Sequence, residues 1–175
     1  MKRELERLIE RNRYSMQHGD AALREKTAEQ GQHPYAVVIC CSDSRVIPEE
    51  IFSAGIGELF VIRVAGNVLG RHALGSIEYA CAHLGCKLVV VLGHTGCGAV
   101  QATLSGEAEG YIADLTAEIR QAIGAERDPY AACVQNVRYG VRRVREAFAD
   151  EAQNGLSVVG AVYDIRTGGI DWTED

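Results

Sequence analysis

Four short runs along the chain are apolar at consecutive positions rather than alternate ones: Tyr35–Cys41, Leu59–Val64, Lys87–Leu92 and Leu156–Val162. Short β-branched runs with no polar face suit strands buried on both sides, as in a parallel sheet covered by helices. Between them the period changes to that of a helix. Leu74, Ile77, Cys81 and Leu84 form a stripe over residues 71–84, and Val134, Val137, Val141, Val144 and Phe148 form another over 130–149. Alternating strands and helices predict an α/β fold, a mainly parallel central β-sheet flanked by helices.

The first thirty-four residues read differently. Residues 2–18 predict a helix with Leu5, Leu8, Ile9 and Met16 on one face among Arg and Glu. A shorter helix is expected over 21–29, before the break at Gly31 and Pro34. Neither has an obvious core of its own, so these N-terminal helices are expected to pack on a partner subunit. The chain is read as a single domain, with 1–34 a helical arm and 35–175 the α/β core. No internal repeat, low-complexity tract or linker divides it.

Composition narrows the picture. The chain has 175 residues, 47% hydrophobic and 24% charged, which fits one folded domain with a real core. A formal net charge of −6 argues against nucleic acid as the main partner, because phosphate binding calls for a basic face. No stretch approaches the ~18 consecutive apolar residues of a membrane helix, and Met1–Glu10 carries charges of both signs, unlike a secretory signal. The expectation is a cytoplasmic protein with reduced thiols. Its six cysteines, at 40, 41, 81, 86, 97 and 133, then point to metal or catalysis rather than a disulfide scaffold.

In open α/β sheets chemistry gathers beyond the carboxyl ends of the strands. The first predicted strand ends at Cys41-Ser-Asp-Ser-Arg45 and the third at Gly93-His-Thr-Gly-Cys97. Cys41, His94 and Cys97 offer two sulfurs and an imidazole nitrogen, three protein ligands that leave a tetrahedral zinc one position for water, the catalytic pattern. The three-residue spacing of His94 and Cys97 suits one turn at the start of a helix. Alone, a His-x-x-Cys is common by chance, and cysteine is also an ordinary core residue; the two clusters together, both at strand ends and flanked by polar and glycine residues, carry more weight. Asp43 and Arg45 read blandly as a surface ion pair. The functional alternative is that Arg45 keeps Asp43 ionised, so that Asp43 accepts a hydrogen bond from an attacking hydroxide.

Other candidates take the bland reading. Cys40 alternates away from Cys41 and faces the other side of the sheet, and Cys81, Cys86 and Cys133 are packing residues. His18, His33, His72 and His83 are surface residues. Arg138, Arg142, Arg143 and Arg145 form a solvated helix face.

Cys41-Ser-Asp-Ser-Arg45, followed about fifty residues later by His94-Thr-Gly-Cys97, resembles the signature of the β-class carbonic anhydrases. Phe60-Val-Ile-Arg-Val-Ala-Gly-Asn67, Gly75-Ser-Ile-Glu-Tyr-Ala80 and Val159-Gly-Ala-Val-Tyr-Asp-Ile-Arg-Thr-Gly168 resemble the family's second strand, following helix and last strand. The resemblance implies one Zn2+ per chain on Cys41, His94 and Cys97, with Asp43 and Arg45 as a catalytic dyad. It implies substrate-binding positions at Gln32, Phe60, Tyr79 and Gly98, the first three beside a neighbouring subunit's zinc. A homodimer or dimer of dimers follows. The implied activity is reversible hydration of carbon dioxide to bicarbonate and a proton by zinc-bound hydroxide. Alternatives are hydrolysis of a related heterocumulene such as carbon disulfide, or a non-catalytic zinc-binding homologue; an intact Asp43–Arg45 pair counts against the latter. A nucleotide-binding reading fails because no Gly-x-Gly-x-x-Gly follows the first strand.

The chain departs from one regulated subgroup of that family, which closes its site by swinging the aspartate onto zinc. Val38 stands where that subgroup has a tryptophan, and Arg63 alone makes a weak anion site. The open arrangement, with Asp43 bonded to Arg45, is therefore expected near neutral pH.

Overall fold

The structure is a computed structural model and describes residues 2–173. The termini of the two expected segments, residues 1 and 174–175, lie outside the described residues. The chain divides into two compact units between Gln32 and His33.

The first unit holds two helices, α1 (Lys2–His18) and α2 (Ala21–Gln30). Asp20 ends the turn between them and caps α2, its carboxylate accepting the Leu23 N–H at 2.8 Å. Arg24 folds back to donate to the Met16 carbonyl, which fastens α2 to the end of α1. Neither helix has a buried residue; Leu5, Leu8, Ile9, Tyr14 and Met16 of α1 are all exposed.

The second unit opens with β1 (Ala36–Cys40) and α3 (Pro48–Ile51), then β2 (Leu59–Arg63), α4 (Arg71–Leu84) and β3 (Leu88–His94). Four helices follow: α5 (Gly98–Ser105), α6 (Tyr111–Ile123), α7 (Pro129–Ala147) and α8 (Ala149–Gln153). Strands β4 (Ser157–Tyr163) and β5 (Ile170–Thr173) complete it. The sheet order is β2-β1-β3-β4-β5, with every pairing parallel except β4–β5.

The four continuous apolar runs are the four parallel strands. β1 is buried along its whole length and lies between β2 and β3. Alternation splits its side chains between two cores. Val37 and Ile39 join Val89, Val91, Ile77 of α4 and Val137 and Val144 of α7 on one face. Val38 and Cys40 join Val46, Val90, Leu92 and Ala161 on the other. Cys40 thus sits in a different cluster from Cys41, as alternation requires.

Helix α7 lies close over the sheet because β3 carries glycine where the two meet: a Cβ on Gly93 would stand 2.6 Å from Val137 Cγ2. Asp128 caps α7 by accepting the Ala131 N–H, and Pro129 follows at the position where its missing N–H costs nothing.

Three features depart from expectation. β5 and helices α3, α5, α6 and α8 are not among the predicted elements: β5 is four residues long and only partly buried, too short to print a periodic pattern. The arginine face of α7 is not uniformly solvated. Arg138 and Arg142 are exposed, but Arg143 pairs with Glu118 and Arg145 donates to the Val158 carbonyl at 2.8 Å. Finally, β3 runs two residues past Leu92 and includes His94 itself. No helix among the described residues is long and apolar enough to cross a membrane.

Candidate metal centre

The sheet order reverses between β1 and β3: from β1 the chain moves outward to β2, and from β3 outward to β4. Backbones that diverge in this way leave a crevice at the carboxyl ends of the two strands. Cys41 follows β1 directly and His94 ends β3. Cys97 lies just beyond, at the N-cap of α5. His94 and Cys97 are therefore not on one helical turn, as their spacing suggested. They bracket a strand-to-helix turn whose sharp bend is taken by Gly96 at φ +67°.

The ligand atoms of Cys41, His94 and Cys97 lie within 4.8 Å of one another, and all three residues are buried. His94 Nδ1 is 3.0 Å from the Thr95 carbonyl. A carbonyl only accepts, so Nδ1 carries the proton and Nε2 presents a lone pair. That Nε2 is buried and has no hydrogen-bond partner. Burying a lone pair without a donor is costly, and a cation at this point would satisfy it.

The sulfurs are arranged to carry negative charge. Cys41 Sγ accepts the Gly66 N–H at 3.2 Å and the Asp43 N–H at 3.4 Å, and stands 4.0 Å from Cys97 Sγ. The two sulfurs stand close enough for a thiol proton of one to point at the other. Cys41 is drawn well down toward thiolate, chiefly because the Cys97 thiol donates to it. Cys97 is pushed up by holding that proton and by burial, against the Val100 and Ala99 N–H groups at the start of α5. A dication supplies the charge that lets both ionise. Two thiolates and a neutral imidazole, with a fixed tautomer, form a donor set suited to zinc.

Beside the cluster, Arg45 Nε donates to Asp43 Oδ1 at 2.9 Å and Arg45 Nη2 to Asp43 Oδ2 at 2.7 Å. The Arg45 hydrogen bonds hold the Asp43 carboxyl far below the usual carboxylate range. The Asp43–Arg45 contact expected of the open arrangement is present. Arg63, read from sequence as an isolated cation, instead ties down this segment: its Nη2 donates to the Asp43 carbonyl at 2.7 Å and its Nε to the Cys41 carbonyl at 3.3 Å.

Gly98 opens α5 next to Cys97. Phe60 and Tyr79 meet each other, with ring centroids 6.2 Å apart, and Phe60 packs on the core of Val37 and Ile39. Phe60 pairs in register with Val37, four residues before Cys41, so it lies ~13 Å back along the sheet. Gln32 belongs to the first unit and is exposed. Gly66, Cys133 and Asn136 were missed from sequence as members of the site. Cys133, read as packing alone, donates its thiol to the His94 carbonyl at 3.3 Å. Asn136 donates Nδ2 to the Gly66 carbonyl at 2.9 Å. The available signal was a cysteine and an asparagine three residues apart on a helix, beside its apolar stripe.

Known proteins resemble this chain in sequence and in fold. The family model described as carbonic anhydrase matches residues 36–170. The carbonic anhydrase of Mycolicibacterium smegmatis is 38% identical over 165 residues, covering 85% of this chain and 79% of that protein. Carbonic anhydrase 2 of Mycobacterium tuberculosis is 36% identical over 152 residues, covering 79% and 73%. Among solved structures, a tetrameric β-carbonic anhydrase of Sordaria macrospora superposes with a TM-score of 0.83 at 27% identity, covering all of this chain and 98% of that one. With sequence, fold and cysteine–histidine cluster in agreement, the chain belongs to the β-carbonic anhydrase family.

Proposed function

We propose that the chain catalyses the reversible hydration of carbon dioxide, CO2 + H2O giving bicarbonate and a proton, at one zinc ion held by Cys41, His94 and Cys97. The observation that carries this reading is the buried Cys41–His94–Cys97 cluster with the unpartnered His94 Nε2, set beside an aspartate locked to an arginine. Zinc, when bound, draws the pKa of a coordinated water down toward neutrality and so supplies the nucleophile.

The protein's own groups orient the attack. Asp43 stays anionic because Arg45 donates to it three times, from its backbone N–H and Nε to Oδ1 and from Nη2 to Oδ2. The lone pair left on Oδ2 accepts a hydrogen bond from the attacking oxygen and turns that oxygen's free electron pair toward the carbon. Arg45, whose Nη2 also reaches the Gly96 carbonyl at 3.5 Å, keeps the carboxylate from swinging toward the sulfurs. Phe60 and Tyr79 offer an apolar wall suited to carbon dioxide, and Gln32 a donor for a substrate oxygen.

The reading includes self-association. α1 exposes Leu5, Leu8, Ile9 and Met16, a stripe that a second copy would cover. The arm of 1–34 and the core of 35–175 then act as one catalytic domain, with Gln32, Phe60 and Tyr79 serving the neighbouring copy's metal. None of the six cysteines is paired, which suits the cytoplasm.

The test is a stopped-flow carbon dioxide hydration assay on zinc-loaded protein. Hydration well above the buffer rate, lost on chelation and restored by zinc, is expected. A zinc-loaded protein with no hydration activity would overturn the reading.

A further inference from the structure

The Gly66 N–H donates to the sulfur of Cys41 from a backbone shape that suits glycine and few other residues. It has φ +67°, and Asn67 after it has φ +47°, a region that residues with side chains rarely adopt. Both residues are buried, and Asn67 Nδ2 has no hydrogen-bond partner. Space is also closed: a Cβ on Gly66 would stand 2.7 Å from Ile119 Cδ1 and 3.0 Å from Ala99 Cβ. Glycine takes this conformation freely and asparagine more readily than other residues with a side chain, so what the surroundings must fix is the direction of the turn's N–H and C=O groups rather than its shape.

The hold comes from α7. Asn136, 5% exposed, donates Nδ2 to the Gly66 carbonyl at 2.9 Å. One turn earlier on the same helix, Cys133 donates to the carbonyl of His94. A single face of α7 therefore grips the backbone of both segments that meet at the metal centre. Neither α7 residue offers an atom to the cluster itself.

We propose that Asn136 is a positioning residue for the metal centre: by holding the Gly66 carbonyl it fixes the backbone on the far side of the Gly66 Cα, and so keeps the Gly66 N–H of the preceding peptide aimed at the Cys41 sulfur. The inference rests on the reading of Cys41 as a metal ligand. An N–H···S bond orients the sulfur and withdraws electron density from it, so its loss changes both the grip on the metal and the electronic character of the metal–sulfur bond.

The experiment compares full-length wild type with Asn136→Ala, with Asn136→Leu, which removes the donor while filling the space, and with Val144→Ala. Val144 is buried on α7, away from this contact, and controls for simple loss of stability. Two readouts are used: the rate of zinc removal by a chelator, and the sulfur-to-metal charge-transfer band after cobalt(II) replaces zinc. Both Asn136 variants are expected to lose zinc about 10–100-fold faster and to shift the cobalt band, while Val144→Ala leaves the band in place. An unchanged band and release rate in either folded Asn136 variant, or the same band shift in Val144→Ala, would overturn the proposal. If neither Asn136 variant folds, amide exchange in zinc-loaded wild type decides. Protection of both the Gly66 N–H and the Asn136 side-chain amide supports the contact, and solvent-rate exchange of either one sinks it. Wild type that binds no zinc defeats the metal-centre reading itself, a result distinct from zinc-bound wild type with indifferent Asn136 variants.

Discussion

Arg45 meets Asp43 edge to edge, Nε on Oδ1 and Nη2 on Oδ2, so that both carboxylate oxygens are held by one planar group. A lysine at 45 would supply the charge without the two parallel bonds. The relationship fixes a direction in space as well as a charge, and it sets the first prediction.

Asp43 should stay ionised far into acid. Its folded pKa is depressed below the ordinary 3.8, so any stability it contributes is present above about pH 4 and is lost progressively as the pH falls from there through the lower folded value. The Arg45 side chain is 54% exposed, which lets water screen the pair and keeps that contribution small. Carboxyl-carbon NMR should show no Asp43 titration down to pH 3. A midpoint near 4 would mean that the pair does not persist in solution.

Function should depend on Asp43 more than stability does. Asp43→Asn should unfold close to wild type in urea and keep its zinc, yet lose roughly a hundredfold in hydration turnover. Arg45→Ala should move turnover in the same direction. Unimpaired turnover in both would remove the orienting role.

Zinc content should follow the three ligands. Cys41→Ser, His94→Ala and Cys97→Ser should each lose most of the metal by elemental analysis. Free zinc at a thousandfold above its Kd stabilises the folded state by about 4 kcal/mol. For a chain of this size that is roughly 8–16 °C in Tm. A Tm indifferent to chelation and resupply would contradict a metal at this cluster.

Assembly should depend on α1. Leu5→Glu with Leu8→Glu places charge on the exposed apolar stripe and should shift sedimentation toward a monomer with reduced hydration activity. A fully active monomer would show that the site is complete within one chain.

Core packing gives a contrasting case. Ile77 on α4 is fully buried against the sheet. Ile77→Ala should cost about 2–5 kcal/mol in urea denaturation, while zinc content per folded molecule stays unchanged.

The sequence by itself determined the layers of this protein and the chemistry at its strand ends. Val37 to Cys40 and Leu88 to Leu92 are apolar at every position, and only a strand covered on both faces tolerates that. Cys41 and His94 declared themselves because metal-ligand residue types placed just past such runs fall at one edge of a parallel sheet. Only the tertiary structure decided what supports them. The Gly66 N–H reaches Cys41 from twenty-five residues away in sequence, and Asn136 reaches Gly66 from seventy. Contacts of that span leave no periodicity or spacing in the chain. Arg63 looked like a spare cation until its two donors were seen on the carbonyls of Cys41 and Asp43. Residue types and periods are local quantities, whereas the direction of an N–H or a guanidinium is set by the packing of distant elements. The ligands of the centre could therefore be read from the sequence, and the groups that aim them could not.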